Sequence, residues 1–395
     1  MKGTRTVDAV VIGGGIIGAA TTYYLARQGL KIALLEKDRL ATGSTGASVA
    51  GVRQQGRSKV QLPLMFTAVN LWQGLEDELG APVDYVQTGH LMLAGDEEVL
   101  EFYRSGPNGV EEQTAAGLRT YIVDRQEARE LAPVLEGPFV GGRYCPTDGG
   151  AHPQKAVGAF ARAAQRLGCT IMERTAVTGL RVEGARIRGV RTSQGDIEAI
   201  WVINAASVWA REIGSWAGLD VPIVPIRGQV LFSTSLPPLV RPFVFHGDVE
   251  GLRLFIRQRP DGHILTGLGN PLQEEGWDTT VDEDFGFQLR RRLKLLAPSL
   301  ADIPAERMWG GLYEVTPDTE PIIDIPQESR GLVLSCGFSA QGFGPGPAVG
   351  YHLAQWIATG VRPEILAPFA LSRFQEGTAP RRQLLAEMSG KREPE

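Results

Sequence analysis

The chain has 395 residues, with 40 Lys and Arg against 45 Asp and Glu for a net charge of −5, and 43% hydrophobic and 22% charged residues, which is ordinary globular composition. A slightly acidic chain is a poor match for nucleic acid, whose affinity comes from Lys and Arg on phosphates, and no stretch approaches the ~18 apolar residues of a bilayer span. The unusual count is glycine, 49 residues without a G-X-Y period, against an average near 7%; such an excess points to a backbone that comes close to a large ligand at many places.

In chain order, residues 7–12 (VDAVVI) read as a buried strand that runs into GGGIIG at 13–18 and the helical ATTYYLARQG. A second strand, KIALLE, ends at Glu36. This is a βαβ start with parallel strands. Residues 37–58 are polar and rich in Gly, Ser and Thr, too long for an idle turn. A helix follows over about 58–79, with Leu62, Leu64, Phe66, Leu71, Trp72 and Leu75 on its apolar side. YVQTGHLMLAG (85–95) reads as two short antiparallel strands, and helical stretches lie near 96–117 and 124–132. PTDGGAHP (146–153) is a turn-rich junction before a helix over 154–167. CTIMER, VTGLRVEG, RIRGVRTSQG and DIEAIWVINAA form a small meander feeding a buried strand that ends at Ala205. Residues 221–269 are antiparallel in character, with RPDG at a hairpin tip. A helix over about 283–297 precedes GGLYEVTPDTEPIID, LVLSCGFSAQGFGPGPAVG and a last helix near 347–359; the tail beyond Glu376 is charged.

The first residues, Met1 to Thr6, lead straight into a strand without an apolar leader. Cys145, Cys169 and Cys336 stand far apart with no C-x-x-C, which fits neither a disulfide framework nor a zinc site and points to a reducing, cytoplasmic compartment. His90, His152, His246, His263 and His352 show no paired metal spacing.

The phosphate motif carries the first functional inference. Gly13-x-Gly15-x-x-Gly18 follows a strand and opens a helix. The first glycine makes the tight turn, the second lets a diphosphate approach the backbone, and the third lets helix pack on strand. The free N–H groups and partial positive charge of the helix start suit an anion. Glu36 is placed to accept hydrogen bonds from an adenosine ribose. An NAD enzyme usually continues βαβαβ after this point. Here Ala41-Thr-Gly-Ser-Thr-Gly-Ala-Ser48 intervenes, with short hydroxyls suited to a second phosphate and a ribityl chain, and 337–350 supplies a second glycine loop before a helix. Together these favour FAD over NAD.

Those segments, in that order, resemble the D-amino-acid-oxidase-like FAD oxidoreductases over nearly the whole chain. Within that family, GVRQQG (51–56), YVQTGHLML (85–93), PTDGGAHP (146–153) and TPDTEPIID (316–324) are most similar to beta subunits of dye-linked L-proline dehydrogenase and heterotetrameric sarcosine oxidase. The resemblance implies a mixed α/β fold: a Rossmann-like FAD-binding domain from 1–82, 145–215 and 316–375, interleaved with an antiparallel-sheet substrate domain from 83–144 and 216–315, and a charged tail over 376–395. It implies oxidation of the C–N bond of a small amino acid or secondary amine (proline, hydroxyproline, sarcosine or opine-like) with FAD accepting a hydride. A dehydrogenase working with a partner subunit or electron acceptor is favoured; peripheral membrane association fits the same scheme. A hydrogen-peroxide-forming oxidase and an FAD-binding assembly subunit without turnover are the alternatives.

The expected FAD contacts are Gly13, Gly15, Ile16, Ile17 and Gly18, then Glu36 and Lys37, then Gly43, Ser44, Thr45 and Ser48. Val177, Ala205, Trp209 and Gly311 follow, and Phe338, Gly342, Phe343 and Gly344 close the set. Gly311 stands where monomeric sarcosine oxidases carry a flavin-linked cysteine, so FAD is expected to be noncovalent. Gly344 stands where they carry a lysine that helps hold the substrate carboxylate. Arg53 is the main candidate for that carboxylate, because a guanidinium fork matches it with two hydrogen bonds. Tyr313 is expected to wall the substrate pocket and Gln341 to lie beside the flavin edge, with Gln54 and Gln55 flanking Arg53. Arg257 and Arg259 are weaker candidates for the role of Arg53; they alternate along a strand, where solvated charge is the favoured reading.

Overall fold

The computed structural model describes residues 5–247, 253–269 and 275–374; the charged tail therefore lies outside the described residues. The predicted βαβ start is present as β1 (Arg5–Ile12), α1 (Ile16–Arg27) and β2 (Ile32–Leu35). The side chains of β1 alternate: Ala9 and Val11 face one hydrophobic core, Val10 and Ile12 another. A strand buried on both faces reads as one unbroken apolar run, which is what AVVI (9–12) displays. The sheet runs in the order Ile322–Asp324, Leu332–Cys336, Ile197–Asn204, β1, β2 and Thr170–Met172, parallel throughout except for its first member. Four helices, α1, Leu62–Leu79, Pro153–Arg166 and Gly346–Thr359, cover one face. The hairpin Val177–Glu183 and Arg186–Thr192 contributes to the core on the other.

A second sheet is ordered Ala305–Val315, Val224–Ser235, His263–Gly269, Arg253–Gln258, Phe243–Gly247, His90–Ala94, Gly141–Cys145 and Tyr121–Asp124. One face carries the helices Arg125–Leu131 and Phe285–Leu296 through Leu231, Ile256, Leu289 and Leu293. Its opposite face brings Val230, Phe232 and Leu265 against Val49 and Trp309. A third, minimal sheet pairs Gly51–Val52 with Gly149–Gly150. No helix among the described residues is long and apolar enough to cross a membrane.

Several sequence expectations need correction. Only His90–Ala94 of residues 85–95 is a strand; the preceding residues make one isolated bridge, Val86 to Gly150. The Thr170–Met172 strand pairs parallel with β2 and so belongs to the nucleotide-type sheet rather than to the meander. The helix predicted over 96–117 is broken into Glu97–Ser105 and Val110–Ala115 by GPNG, with Asn108 in a left-handed conformation. The second sheet is not wholly antiparallel, since Phe243–Gly247 runs parallel to His90–Ala94. Arg257 is not solvated but 4% exposed, and Arg259 is paired with Asp261.

The glycine excess divides between turns and close packing. Gly184, Gly195 and Gly262 all take left-handed φ at hairpin tips. Gly350 allows the last helix to lie directly on α1, where a Cβ would stand 2.7 Å from the Ala20 carbonyl carbon.

Candidate active site

Three loops converge where the parallel sheet meets the second sheet. The first is the turn from β1 into α1. Gly13 has φ +111°, and a side chain there would strike the Ala205 carbonyl; a side chain on Gly18 would strike the Gly13 carbonyl. The helix opens at Gly15 with no side-chain cap and no acidic residue in its first turn, which leaves its N–H groups facing outward as an anion cradle. Ile16 N–H finds Thr45 Oγ1 at 3.1 Å, and Gly14 N–H finds Glu36 Oε2 at 2.7 Å. Thr45 and Glu36 thus already touch the backbone on which a diphosphate would rest. A Cβ on Gly15 would sit 2.9 Å from Thr45 Oγ1, so only glycine keeps that cradle open. These residues fit the diphosphate of a dinucleotide.

The second loop spans 41–57. Its short helix Ser44–Ala47 is clamped onto the strand Ala305–Val315. Ser44 Oγ donates to the Leu312 carbonyl at 2.6 Å and Trp309 Nε1 donates to the Ala47 carbonyl at 3.1 Å. Gly311 lies against Ala47 so closely that a side chain there would collide with the Ala47 Cβ. Ser44 Oγ also meets Ser207 Oγ at 2.8 Å, and Ser207 donates in turn to the buried carboxylate of Glu314. Burial pushes Glu314 above the usual glutamate range, opposed by its hydrogen bond from Ser207. Gly43 caps this short helix, and Ser48 Oγ closes its end on the Thr45 carbonyl at 2.7 Å.

At the end of β2, Lys37 lays its ammonium 3.1 Å above the centre of the Trp209 ring, and desolvation lowers its pKa. Thr175 donates its N–H to the Glu36 carbonyl at 2.8 Å, which sets Val177 two residues beyond that contact. Ile16 and Ile17 are buried in the first turn of α1.

Arg53 leaves the two-residue strand Gly51–Val52, and three buried groups hold that segment. Arg257 donates to the Val49 carbonyl and, at 3.0 Å, to the Ala151 carbonyl, pinning both strands of the small sheet; burial lowers its pKa to about 9. Asp148 accepts from Gln54 N at 2.7 Å and Gln55 N at 3.3 Å. Desolvation raises its pKa, while those N–H groups pull the other way. Gln55 Nε2 reaches His90 Nδ1 at 2.7 Å. Burial holds His90 well below its ordinary pKa, so its ring is neutral, with Nδ1 accepting.

The guanidinium of Arg53 donates to the Gln55 carbonyl at 2.6 Å and to Gln341 Oε1 at 3.1 Å. Gln341 belongs to the third loop, 337–345, where Ser339 and Ala340 both take left-handed φ. Trp72 fixes that loop: its Nε1 donates to the Gly344 carbonyl at 2.7 Å and its ring stacks on Phe343 at 5.3 Å between centroids. Phe338 donates its N–H to Glu314 at 3.3 Å, and a Cβ on Gly342 would lie 2.9 Å from the Phe338 side chain. Tyr313, half-buried on the strand Ala305–Val315, pairs with Ile226 of the neighbouring strand, and its ring lies over Gly228.

The structure therefore brings Arg53 and Gln341 into contact and joins Ser44, Gly311 and the strand carrying Tyr313. Sequence reasoning missed Arg57, Asp148, Glu314 and Trp72. Glu314 had a signal, a carboxylate inside an apolar strand; Asp148 sat unremarked in a segment already singled out. Arg57 and Trp72 gave none, since a loop arginine and a tryptophan on an apolar helix face are ordinary.

The described residues hold no group of three or more His, Cys, Asp and Glu suited to a metal ion. The three cysteines are free and buried.

Comparison with known proteins matches residues 8–356 to the FAD dependent oxidoreductase (DAO) family. The chain is 30% identical to the sarcosine oxidase subunit beta of Rhodobacter capsulatus, over 94% of this chain and 90% of that one. It is also 30% identical to human mitochondrial sarcosine dehydrogenase, covering 91% of this chain but only 40% of that longer protein. Among solved structures, the L-proline dehydrogenase of P. horikoshii superposes with a TM-score of 0.88 at 30% identity, over 95% of this chain and 99% of that one.

Proposed function

The chain belongs to the DAO family of FAD-dependent oxidoreductases, enzymes acting on amino acids or amines, and on that premise we propose that it oxidises the C–N bond of a small amino acid or secondary amine bearing a carboxylate, of the proline, hydroxyproline, sarcosine or opine type. When bound, FAD supplies the two-electron acceptor for the hydride. The observation that carries the substrate reading is the Arg53 guanidinium, held at the junction of the 51–57 and 337–345 loops with its Nη2 on a side-chain oxygen of Gln341.

In this reading the N–H groups at the start of α1, with Thr45 and Ser44, hold the diphosphate, and Glu36 holds the adenosine ribose. Lys37, Trp209, Val177 and Ala205 flank the same end of the sheet; Ser48, Phe338, Gly342 and Phe343 line the loops nearer the substrate. Gly311 offers no side chain for a covalent link, which supports noncovalent FAD. Arg53 binds the substrate carboxylate and so aims the α-carbon, while Tyr313 walls the pocket. An amine that binds deprotonated needs no strong general base, and orientation does much of the work. We read the parallel-sheet layer as the FAD domain and the second sheet as the substrate domain, with the boundaries given above.

Two of these relatives are named dehydrogenases, which supports dehydrogenase chemistry, and the third, a sarcosine oxidase subunit beta, supports a partner subunit. Steady-state assay with a dye acceptor, alongside oxygen uptake, tests this: turnover with the dye and little oxygen uptake is expected. Arg53→Ala should raise KM at least roughly tenfold, the scale of a lost hydrogen bond to a charged group. Turnover with neither acceptor on proline, hydroxyproline, sarcosine or an opine would point instead to an assembly subunit.

A further inference from the structure

Arg57 lies four residues beyond Arg53 and is 3% exposed. Its guanidinium donates to four neutral oxygens: the Arg53 carbonyl at 3.0 Å, Gln61 Oε1 at 3.2 Å, the Gln341 carbonyl at 3.3 Å, and Gln341 Oε1. The last of these atoms is the one that also accepts from Arg53 Nη2. One amide oxygen thus stands between two guanidinium groups. That is the position a carboxylate oxygen fills best, because a carboxylate adds the attraction of opposite charges and matches the guanidinium fork with two oxygens.

The surroundings deepen the demand for an anion. A third buried guanidinium, Arg143, is turned toward Gly56, where a side chain would strike it and would also stand 3.1 Å from Arg53 Nη1. Gly56 itself has φ +67°, so the turn and the two flanking arginines both require glycine. Arg143 is held by neutral partners, the Asn108 carbonyl at 3.0 Å, Met92 Sδ and the Tyr103 ring face. Asp148 and Glu320 are near enough to attract Arg57, but their hydrogen bonds run to other groups: Asp148 accepts from Gln54 and Gln55, and Glu320 from Gln61 Nε2 at 2.7 Å. Position 344 is glycine and supplies no cation; a Cβ there would stand 3.2–3.3 Å from Met65, the Gly51 carbonyl and Val52.

We infer that Arg57 is the second cation of the substrate-carboxylate subsite, and that the Gln341 side chain is a latch which the carboxylate displaces from between Arg53 and Arg57. This rests on the reading of Arg53 given above. A carboxylate held by two guanidinium groups is fixed in position and rotation. The subsite then selects amines that carry an acid group over those that do not.

The test uses the FAD-loaded protein and acetate as a non-reducing probe, its binding followed by the perturbation of the flavin absorbance, together with KM and kcat for the best substrate. Arg57→Gln should weaken acetate and raise KM by roughly 10–100-fold, the scale of a charge-assisted hydrogen bond, with the loss falling on KM. Arg57→Lys should recover part of it. Gln341→Ala, which removes the competing oxygen, should tighten acetate about 2- to 10-fold, an effect that a merely structural glutamine would not give. Unchanged acetate affinity in Arg57→Gln overturns the role of Arg57, and weaker acetate binding in Gln341→Ala overturns the latch, whether or not the Arg57 variants fold. If Arg53→Ala also binds acetate as the unmodified protein does, the underlying reading of Arg53 fails instead.

Discussion

Trp72→Phe probes how the Gly342–Gly344 loop is held. Trp72 is fully buried; its indole N–H satisfies the Gly344 carbonyl and its ring stacks on Phe343. Phenylalanine keeps an aromatic face but cannot donate. An orphaned buried acceptor costs about 1–3 kcal/mol. The smaller ring leaves space in a core that cannot fully collapse, a further cost of ~1–2 kcal/mol by analogy with large-to-small core changes. The expected loss is therefore roughly 2–5 kcal/mol, a large share of the ~5–15 kcal/mol that holds a typical native protein together. Urea unfolding followed by circular dichroism measures it, with the midpoint falling and the slope nearly unchanged. FAD affinity should fall with it, because the loop is then free to leave its place beside Arg53 and Gln341. Phe287→Gln, on a side chain 69% exposed, serves as the control and should change stability by less than about 0.5 kcal/mol. A Trp72→Phe protein within that same margin would refute the claim that this indole anchors the loop.

Two further perturbations address buried charge. Arg257→Leu should destabilise by about 2–5 kcal/mol, since two buried carbonyls, Val49 and Ala151, lose their donor; Arg257→Lys should not restore it, because an ammonium lacks the fork that spans both. Thermal unfolding checks this, and full recovery with lysine would contradict it. Glu314 is raised by burial, so its contribution to stability is present below the ordinary glutamate pKa and is lost as pH rises through the folded value. Glu314→Gln should therefore gain on the unmodified protein between pH 5 and pH 8 in urea midpoints; a difference that is constant or of opposite sign would show that Ser207 and the backbone donors fully offset the desolvation.

How much of this was legible in the sequence depended on whether the signal was local. The βαβ start was readable because three glycines, a strand, a helix and a terminal Glu36 lie within one short segment. That the segments of Ser44 and Gln341 meet other parts of the chain was approachable, because glycine-rich loops mark close approaches. What could not be read was long-range pairing. Thr170–Met172 looks like part of a meander, and only its parallel register with β2 places it in the first sheet. Arg257 alternates along its strand as a surface arginine would, yet the strand's neighbour is the small sheet around Gly150, which turns that face inward. Arg57 became notable only when the 337–345 loop, nearly three hundred residues away, set Gln341 against it.

The central claim, that two-electron oxidation here depends on a carboxylate beside the amine, is tested most directly by mixing the FAD-loaded protein anaerobically with matched pairs: proline against pyrrolidine, and sarcosine against dimethylamine. Bleaching of the flavin band by at least one acid, with its carboxylate-free partner inert at the same concentration, is the expected result. Equal bleaching by both members of a pair, or none by either acid or by the hydroxyproline and opine analogues, would contradict it.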